Sequence, residues 1–195
     1  NATRVVAASG GSTNAALHLP AIAHEAGINF DLFDVMKVFK TTPYIASMKP
    51  SGKYVAKDLY DVGGVPTLMK ALLDGGYLHK NCITVTGKTI AQNLKSVKFP
   101  KNQDVVRETR NPITKSSGLV VLKGSLASQG AVVKIAGMEN LEFVGKARCF
   151  DCEEDAFKAV QKKKYKAGDV FVIRYEGPRG GPGMREMLST TAAIY

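Results

Sequence analysis

A glycine- and proline-rich segment near the end of the sequence carries the residues best suited to chemistry. It runs Glu176-Gly-Pro-Arg-Gly-Gly-Pro-Gly183, and Glu186 follows three residues later. Glycine lets a ligand approach the backbone closely and proline fixes φ, so we expect a loop of defined shape. Its spacing does not match the loops that bind nucleotide phosphates. A carboxylate just after such a loop favours a hard divalent cation, which prefers oxygen ligands.

Four charged residues accompany this segment: Glu176, Arg179, Arg185 and Glu186. They could belong to a site, or they could be solvated charges on a tight turn. Composition alone leaves both interpretations open. Glu176, which precedes the loop, is the more typical turn charge of the two glutamates.

A strand and a helix are expected to hold this loop in place. Val170 to Ile173 is a short apolar, β-rich run that predicts a buried strand. A helical pattern begins again at Met184 to Leu188, which would place Glu186 in its first turn. The unpaired N–H groups at such a helix start favour anions.

A second loop near the beginning of the chain has the same organisation. Arg4 to Ala8 is a β-like run, Gly10-Gly-Ser-Thr-Asn14 follows, and residues 15–26 have helical periodicity. Ser12, Thr13 or Asn14 is expected to be the N-cap. This loop is either a plain helix cap or a substrate contact made by Ser12, Thr13 and Asn14.

The longest motif, Arg174-Tyr-Glu-Gly-Pro-Arg-Gly-Gly-Pro-Gly-Met-Arg-Glu-Met-Leu188, resembles the signature of the dihydroxy-acid/phosphogluconate dehydratase family. Further motifs resemble that family in the same order: Gly10-Gly-Ser-Thr-Asn14 with Leu17-His-Leu19, Pro50-Ser-Gly-Lys-Tyr54, Gly63-Gly-Val-Pro66 and Thr84-Val-Thr-Gly-Lys-Thr89. The motifs at 50–54 and 81–87 are closer to the dihydroxy-acid branch. The sugar-acid branch is the alternative.

The resemblance implies a hydro-lyase that converts 2,3-dihydroxy acids to 2-keto acids in isoleucine and valine biosynthesis. It also implies Mg²⁺ and an iron–sulfur cluster, taken as 2Fe–2S. In such an enzyme the cluster iron takes the leaving hydroxyl, Mg²⁺ holds the carboxylate end, and a serine removes the C2 proton. Glu186 maps to an Mg²⁺ ligand. The cluster cysteines, the other Mg²⁺ ligands and the serine are expected outside this chain, so the chain alone should be inactive.

The pattern of elements indicates an α/β part followed by a β part. Residues 1–95 are expected to be the C-terminal part of a layered α/β domain. Residues 96–118, polar and basic with Pro100 and Pro112, are interpreted as a linker. Residues 119–195 would form the first part of a β-barrel domain, with strands at Leu119–Leu122, Ala131–Ile135, Leu141–Val144 and Val170–Ile173 and a helix at 153–163. The resemblance implies a swivelling barrel.

Composition bounds the remaining possibilities. The chain has 195 residues, 45% of them hydrophobic, and no apolar run of the roughly 18 residues that a membrane span needs. Its net charge of +10 raises nucleic acid as a partner, yet the lysines are scattered and no nucleic-acid-binding motif is present. A non-catalytic module that binds anions or nucleic acid stays the alternative to an enzyme fragment.

The three cysteines, Cys82, Cys149 and Cys152, do not form a disulfide framework. They are interpreted as ordinary buried or half-buried thiols in a reducing compartment, either a bacterial-type cytoplasm or an organelle interior. The chain begins in mid-pattern and ends as a helix starts, so we expect an internal fragment. The expected partners are a small dihydroxy acid and a second copy in a homodimer.

Overall fold

The computed structural model describes residues 1–49, 52–135, 141–177 and 186–194, and the chain divides into two compact units, residues 1–139 and residues 140–195. In its described part the first unit contains α1 (Ala2–Ala8), α2 (Ala15–Glu25), α3 (Leu32–Lys40), α4 (Ala56–Asp61), α5 (Gly64–Asp74), α6 (Ile90–Leu94), β1 (Leu119–Leu122) and β2 (Ala131–Lys134). The second contains β3 (Ala147–Phe150), α7 (Glu153–Gln161), β4 (Val170–Ile173) and α8 (Leu188–Ile194).

Helix α5 forms the centre of the larger core in the first unit. Leu68, Ala71 and Leu72 recur at the helical spacing, so one face of α5 is apolar and buried. Ile45 and Val106 are fully buried in the same cluster. The backbone connects the same two parts of the unit, since β-bridges pair Tyr44 with Thr114 and Ala46 with Val106.

The segment interpreted as a linker, residues 96–118, contributes to that core. Val105 and Val106 are buried, and the Arg107 N–H donates to the Ile45 carbonyl at 2.8 Å. Within this chain the segment is part of the first unit, because its two adjacent valines bury apolar surface in that unit's core. A domain boundary at 96–118 in a longer protein stays a prediction.

A second core cluster brings α1, α2, α3 and β1 together. It consists of Ala7, Ala16, Val35, Phe39 and Leu119. Helix α3 begins after Asp31, because the Asp31 carboxylate accepts the N–H groups of Phe33 at 2.8 Å and Asp34 at 3.0 Å. Leu119 of this cluster lies beside Gly11, in the connection between α1 and α2.

The first unit also contains an antiparallel hairpin. Strand β1 pairs with β2 so that Leu119 lies opposite Lys134 and Leu122 opposite Ala131. The second unit contains a parallel pair instead, with Ala147 opposite Val170. Parallel strands need a long crossover connection, which α7 provides between β3 and β4.

Two predicted strands are wrong. Arg4 to Ala8 lies inside helix α1, whose alanines favour a helix and whose Thr3 and Ala7 bury one face at i, i+4 spacing. Leu141–Val144 is irregular, and the strand is Ala147–Phe150. That strand is stabilised by pairing with β4 and by a stack of Phe150 on Phe171 with ring centroids 5.2 Å apart.

The fold is mixed helix and small sheets, as expected of an α/β fragment. Its described residues form two two-stranded sheets and no closed barrel. No helix in the described ranges is long and apolar enough to cross a membrane. Residues 178–185, which include Arg179 and Arg185, lie outside the described residues, as do Pro50 and Ser51.

Candidate functional site

The first residue of the glycine- and proline-rich segment and a residue of α8 form hydrogen bonds with Glu153, the first residue of α7. Glu176, interpreted from the sequence as a turn charge, is buried with 8% of its surface exposed. Its Oε1 accepts the backbone N–H of Glu153 at 3.0 Å. Cys152, the N-cap residue of α7, makes no capping hydrogen bond with its side chain. Glu176 therefore supplies the N-terminal cap of α7 from 23 residues away.

The Glu153 side chain extends this connection to the last helix. Its Oε1 accepts a hydrogen bond from the Thr190 hydroxyl at 3.2 Å, and both residues are buried. Through its backbone and its carboxylate, Glu153 thus contacts the first residue of the segment and a residue after it. Sequence patterns did not identify this role, because α7 and α8 are separated by β4.

Glu186, the predicted Mg²⁺ ligand, is exposed and lies two residues before α8. The helix begins later than predicted, because Met187 supplies its first acceptor: the Met187 carbonyl accepts the Thr191 N–H at 3.1 Å and the Thr191 hydroxyl at 2.7 Å. Glu186 therefore precedes the first turn of the helix. In this position its carboxylate reaches solvent.

The loop of residues 10–14 connects α1 to α2, so a helix precedes it and not the expected strand. Asn14 is the N-cap residue of α2, although its side chain does not cap the helix. Ser12 Oγ accepts the Asn14 N–H at 3.2 Å, and the Ser12 and Thr13 side chains are exposed. The three predicted substrate contacts therefore lie together at one helix start.

Glycine is required at the beginning of this loop. Gly10 and Gly11 have φ of +84° and +59°, which side chains rarely adopt. A Cβ on Gly10 would lie 2.9 Å from Tyr44 Cε2, and one on Gly11 would lie 3.1 Å from Leu119 Cδ1. The packing of Tyr44 and Leu119 thus fixes the path of the loop.

Lys134 on β2 also contacts this loop, and the sequence analysis did not identify it. Its Nζ donates to the Gly11 carbonyl at 3.0 Å. Burial lowers the pKa of the Lys134 ammonium. The sequence feature that could have pointed to this contact is the position of a lysine inside the apolar run Ala131-Val-Val-Lys-Ile135.

Within the described ranges, no group of three histidine, cysteine or acidic side chains could hold a metal ion. Glu186 still offers the carboxylate oxygen that Mg²⁺ prefers, and Mg²⁺ often uses only one or two protein carboxylates beside substrate and water.

Two thiols expected to be buried or half-buried, Cys82 and Cys149, are exposed, and Cys152 is half-buried.

Comparison with known families decides what kind of chain this is. A family model for the dihydroxy-acid/6-phosphogluconate dehydratase N-terminal region matches residues 1–93, and the model for the C-terminal region matches residues 104–195. The chain belongs to the dihydroxy-acid/6-phosphogluconate dehydratase family. The resemblance identified from the sequence motifs is confirmed.

Curated relatives within this dehydratase family match the whole chain. It is 69% identical over 194 residues to dihydroxy-acid dehydratase 2 of Bradyrhizobium diazoefficiens and covers 34% of that protein. It is 66% identical to a dihydroxy-acid dehydratase of Pelagibacter ubique, again over 34% of its length, and 54% identical to one of Saccharolobus islandicus over 35%. The chain therefore spans about a third of the length of these relatives.

Proposed function

We propose that this chain is part of a hydro-lyase that removes water from 2,3-dihydroxy acids to give 2-keto acids in branched-chain amino-acid biosynthesis. The observation that carries the proposal is the likeness of the entire chain to proteins named dihydroxy-acid dehydratase. The exposed Glu186 carboxylate beside the glycine- and proline-rich segment supports it.

In this proposal Glu186 is a ligand of Mg²⁺, and Ser12, Thr13 and Asn14 contact the substrate. When bound, Mg²⁺ neutralises negative charge that develops on the substrate during proton removal. Glu186 would contribute an anionic oxygen from a position two residues before α8. The loop at the start of α2 would orient the substrate through hydroxyl and amide groups.

The described residues do not form a site for an iron–sulfur cluster, so the proposal assigns the cluster ligands to other parts of the enzyme. It likewise assigns the serine base and the remaining Mg²⁺ ligands elsewhere. Residues 1–95 would end an α/β domain and residues 119–195 would begin a swivelling β-barrel domain. A homodimer in a reducing compartment, either the cytoplasm or an organelle interior, completes the proposal.

The proposal can be tested in a full-length enzyme. The test enzyme is the Bradyrhizobium diazoefficiens relative with this chain in place of its matching third, a replacement that 69% identity favours. We expect it to form keto acid from dihydroxyisovalerate. A correctly folded test enzyme that dehydrates only a sugar acid would contradict the proposal and favour the sugar-acid branch.

Glu186→Gln in the test enzyme examines the metal-ligand role. Glutamine keeps the size of the side chain but loses the charge, so we expect kcat/KM to fall on the order of 10²-fold and the Mg²⁺ requirement to rise. Glu154→Gln, at an exposed glutamate in the same unit, is the matched control. Glu176→Gln is unsuitable as a control because Glu176 caps α7. If Glu186→Gln kept the native turnover and Mg²⁺ dependence, Glu186 would not be a metal ligand and would be only a charge near a helix end.

A further inference from the structure

Lys134 joins the hairpin to the loop of residues 10–14 across 123 residues of sequence. Its ammonium donates to the Gly11 carbonyl at 3.0 Å. A hydrogen bond from a charged donor is stronger than one between neutral groups, and partial burial strengthens it further. This contact is therefore well suited to hold the Gly11 peptide in one orientation.

The packing around Lys134 prevents the hairpin from shifting away from the loop. Lys134 lies opposite Leu119 in the β1–β2 register. Leu119 is 3% exposed, and its Cδ1 lies 3.1 Å from the point where a Cβ on Gly11 would be. One pair of facing residues thus contacts Gly11 twice, once by packing and once by a hydrogen bond.

The orientation of the Gly11 carbonyl determines the direction of the next N–H. A peptide unit is planar and trans, so its C=O and N–H point in opposite directions. Because the Gly11 carbonyl points to Lys134, the Ser12 N–H points away from the hairpin. Ser12 and Thr13 are exposed at this place.

Lys134 carries a partly buried charge on β2. Desolvation is the cause of its lowered pKa, and in the described part of the chain no charged neighbour contributes to that shift. An apolar residue of similar length would fill the same space on β2 without losing hydration. Desolvation of this partly buried charge costs free energy, and the contact with Gly11 offsets part of that cost.

We propose that Lys134 is a positioning residue that holds Ser12, Thr13 and Asn14 in the shape needed to bind substrate. This inference rests on the proposed function of that loop. Lys134 acts through the Gly11 peptide and not by contact with the reacting atoms. Loss of the ammonium should therefore weaken substrate binding more than it slows turnover.

The test compares three variants of the test enzyme. Lys134→Met removes the donor and keeps the length of the side chain, and Lys134→Arg restores a donor. Lys123→Met is the control, because Lys123 follows β1 and lies over the Phe33 ring at 5.8 Å from its centroid. We expect Lys134→Met to raise KM about 10-fold with a smaller change in kcat, Lys134→Arg to recover most of that loss, and Lys123→Met to stay near the native value.

Amide hydrogen exchange of residues 10–17 in the resting enzyme provides a readout that does not depend on activity. We expect about 10-fold faster exchange in Lys134→Met than in Lys123→Met. An active test enzyme whose Lys134→Met variant keeps the native KM would overturn the inference, whatever its exchange rate. A folded test enzyme that is inactive with the native chain would refute the proposed function itself.

Discussion

The buried carboxylate of Glu176 allows a quantitative test of how the second unit is held together. The carboxylate caps the N-terminus of α7 through the 3.0 Å contact with the Glu153 N–H. Glu176→Ala should therefore loosen the first turn of α7. Glu176→Gln, which keeps an acceptor oxygen, should have a smaller effect.

The magnitude follows from the two contributions that alanine removes. Loss of an N-terminal cap costs about 1 kcal/mol, and leaving a buried N–H without an acceptor costs about 1–3 kcal/mol. Both values describe the loss of the same bond, so they are not added. We expect a loss of about 2 kcal/mol, in the middle of their range. Since each 1.4 kcal/mol is about tenfold, amide exchange in the first turn of α7 should become about 30-fold faster. Glutamine keeps the acceptor oxygen and loses the interaction of the charge with the helix dipole, so about 5-fold is expected.

Hydrogen exchange of peptides that cover residues 150–163 in the test enzyme measures this effect. Asp151→Ala is the control: it removes the same charge two residues before α7, from a carboxylate that is 64% exposed and pairs with Arg174 at the surface. Such exposed pairs contribute little to stability. Exchange in Glu176→Ala within about 3-fold of the Asp151→Ala value would refute the capping role.

Three further results are expected. The purified chain alone should form no keto acid from dihydroxyisovalerate above a no-protein control. Cys149 and Cys152 should bind no stoichiometric zinc, because structural zinc needs about four ligands; metal lost only in a Cys149→Ser/Cys152→Ser variant would contradict this. The hydrogen bond from Arg148 lowers the pKa of Asp169 below its ordinary 3.8, so its stabilising effect is present above that value and is lost as pH falls through the lowered pKa. Asp169→Asn should therefore reduce the loss of stability measured between about pH 5 and pH 2.

Short-range signals in the sequence determine where some of the helices begin. Asp31 begins α3 through a capping box, and Thr89 begins α6 in the same way. In both cases the residues that decide the boundary lie within four positions of each other. The strand Ala147–Phe150 could not be found in this way, because its partner β4 lies 23 residues later and two of its four side chains are exposed.

The same distinction separates the residues that the sequence suggested for the candidate site from those that it did not suggest. Ser12, Asn14 and Glu186 stand out because a glycine-rich segment adjoins them. Glu176 was misinterpreted as a turn charge, because its partner at the start of α7 becomes a neighbour only after β4 pairs with β3. The contact of Lys134 was even harder to predict from the sequence, since its acceptor is 123 residues away.

The hairpin of β1 and β2 connects the regions matched by the two family models, residues 1–93 and residues 104–195. Residues 119–134 belong to the region matched by the C-terminal family model, yet they lie within the first compact unit. Leu119 is buried with Ala7, Ala16, Val35 and Phe39, which all belong to the region matched by the N-terminal model. A family boundary drawn from sequence therefore crosses a hydrophobic core. The loop of residues 10–14 takes its fixed shape from this shared core, because Leu119 packs against it and Lys134 bonds to it. The substrate contacts proposed for the N-terminal region thus depend on residues supplied by the C-terminal region.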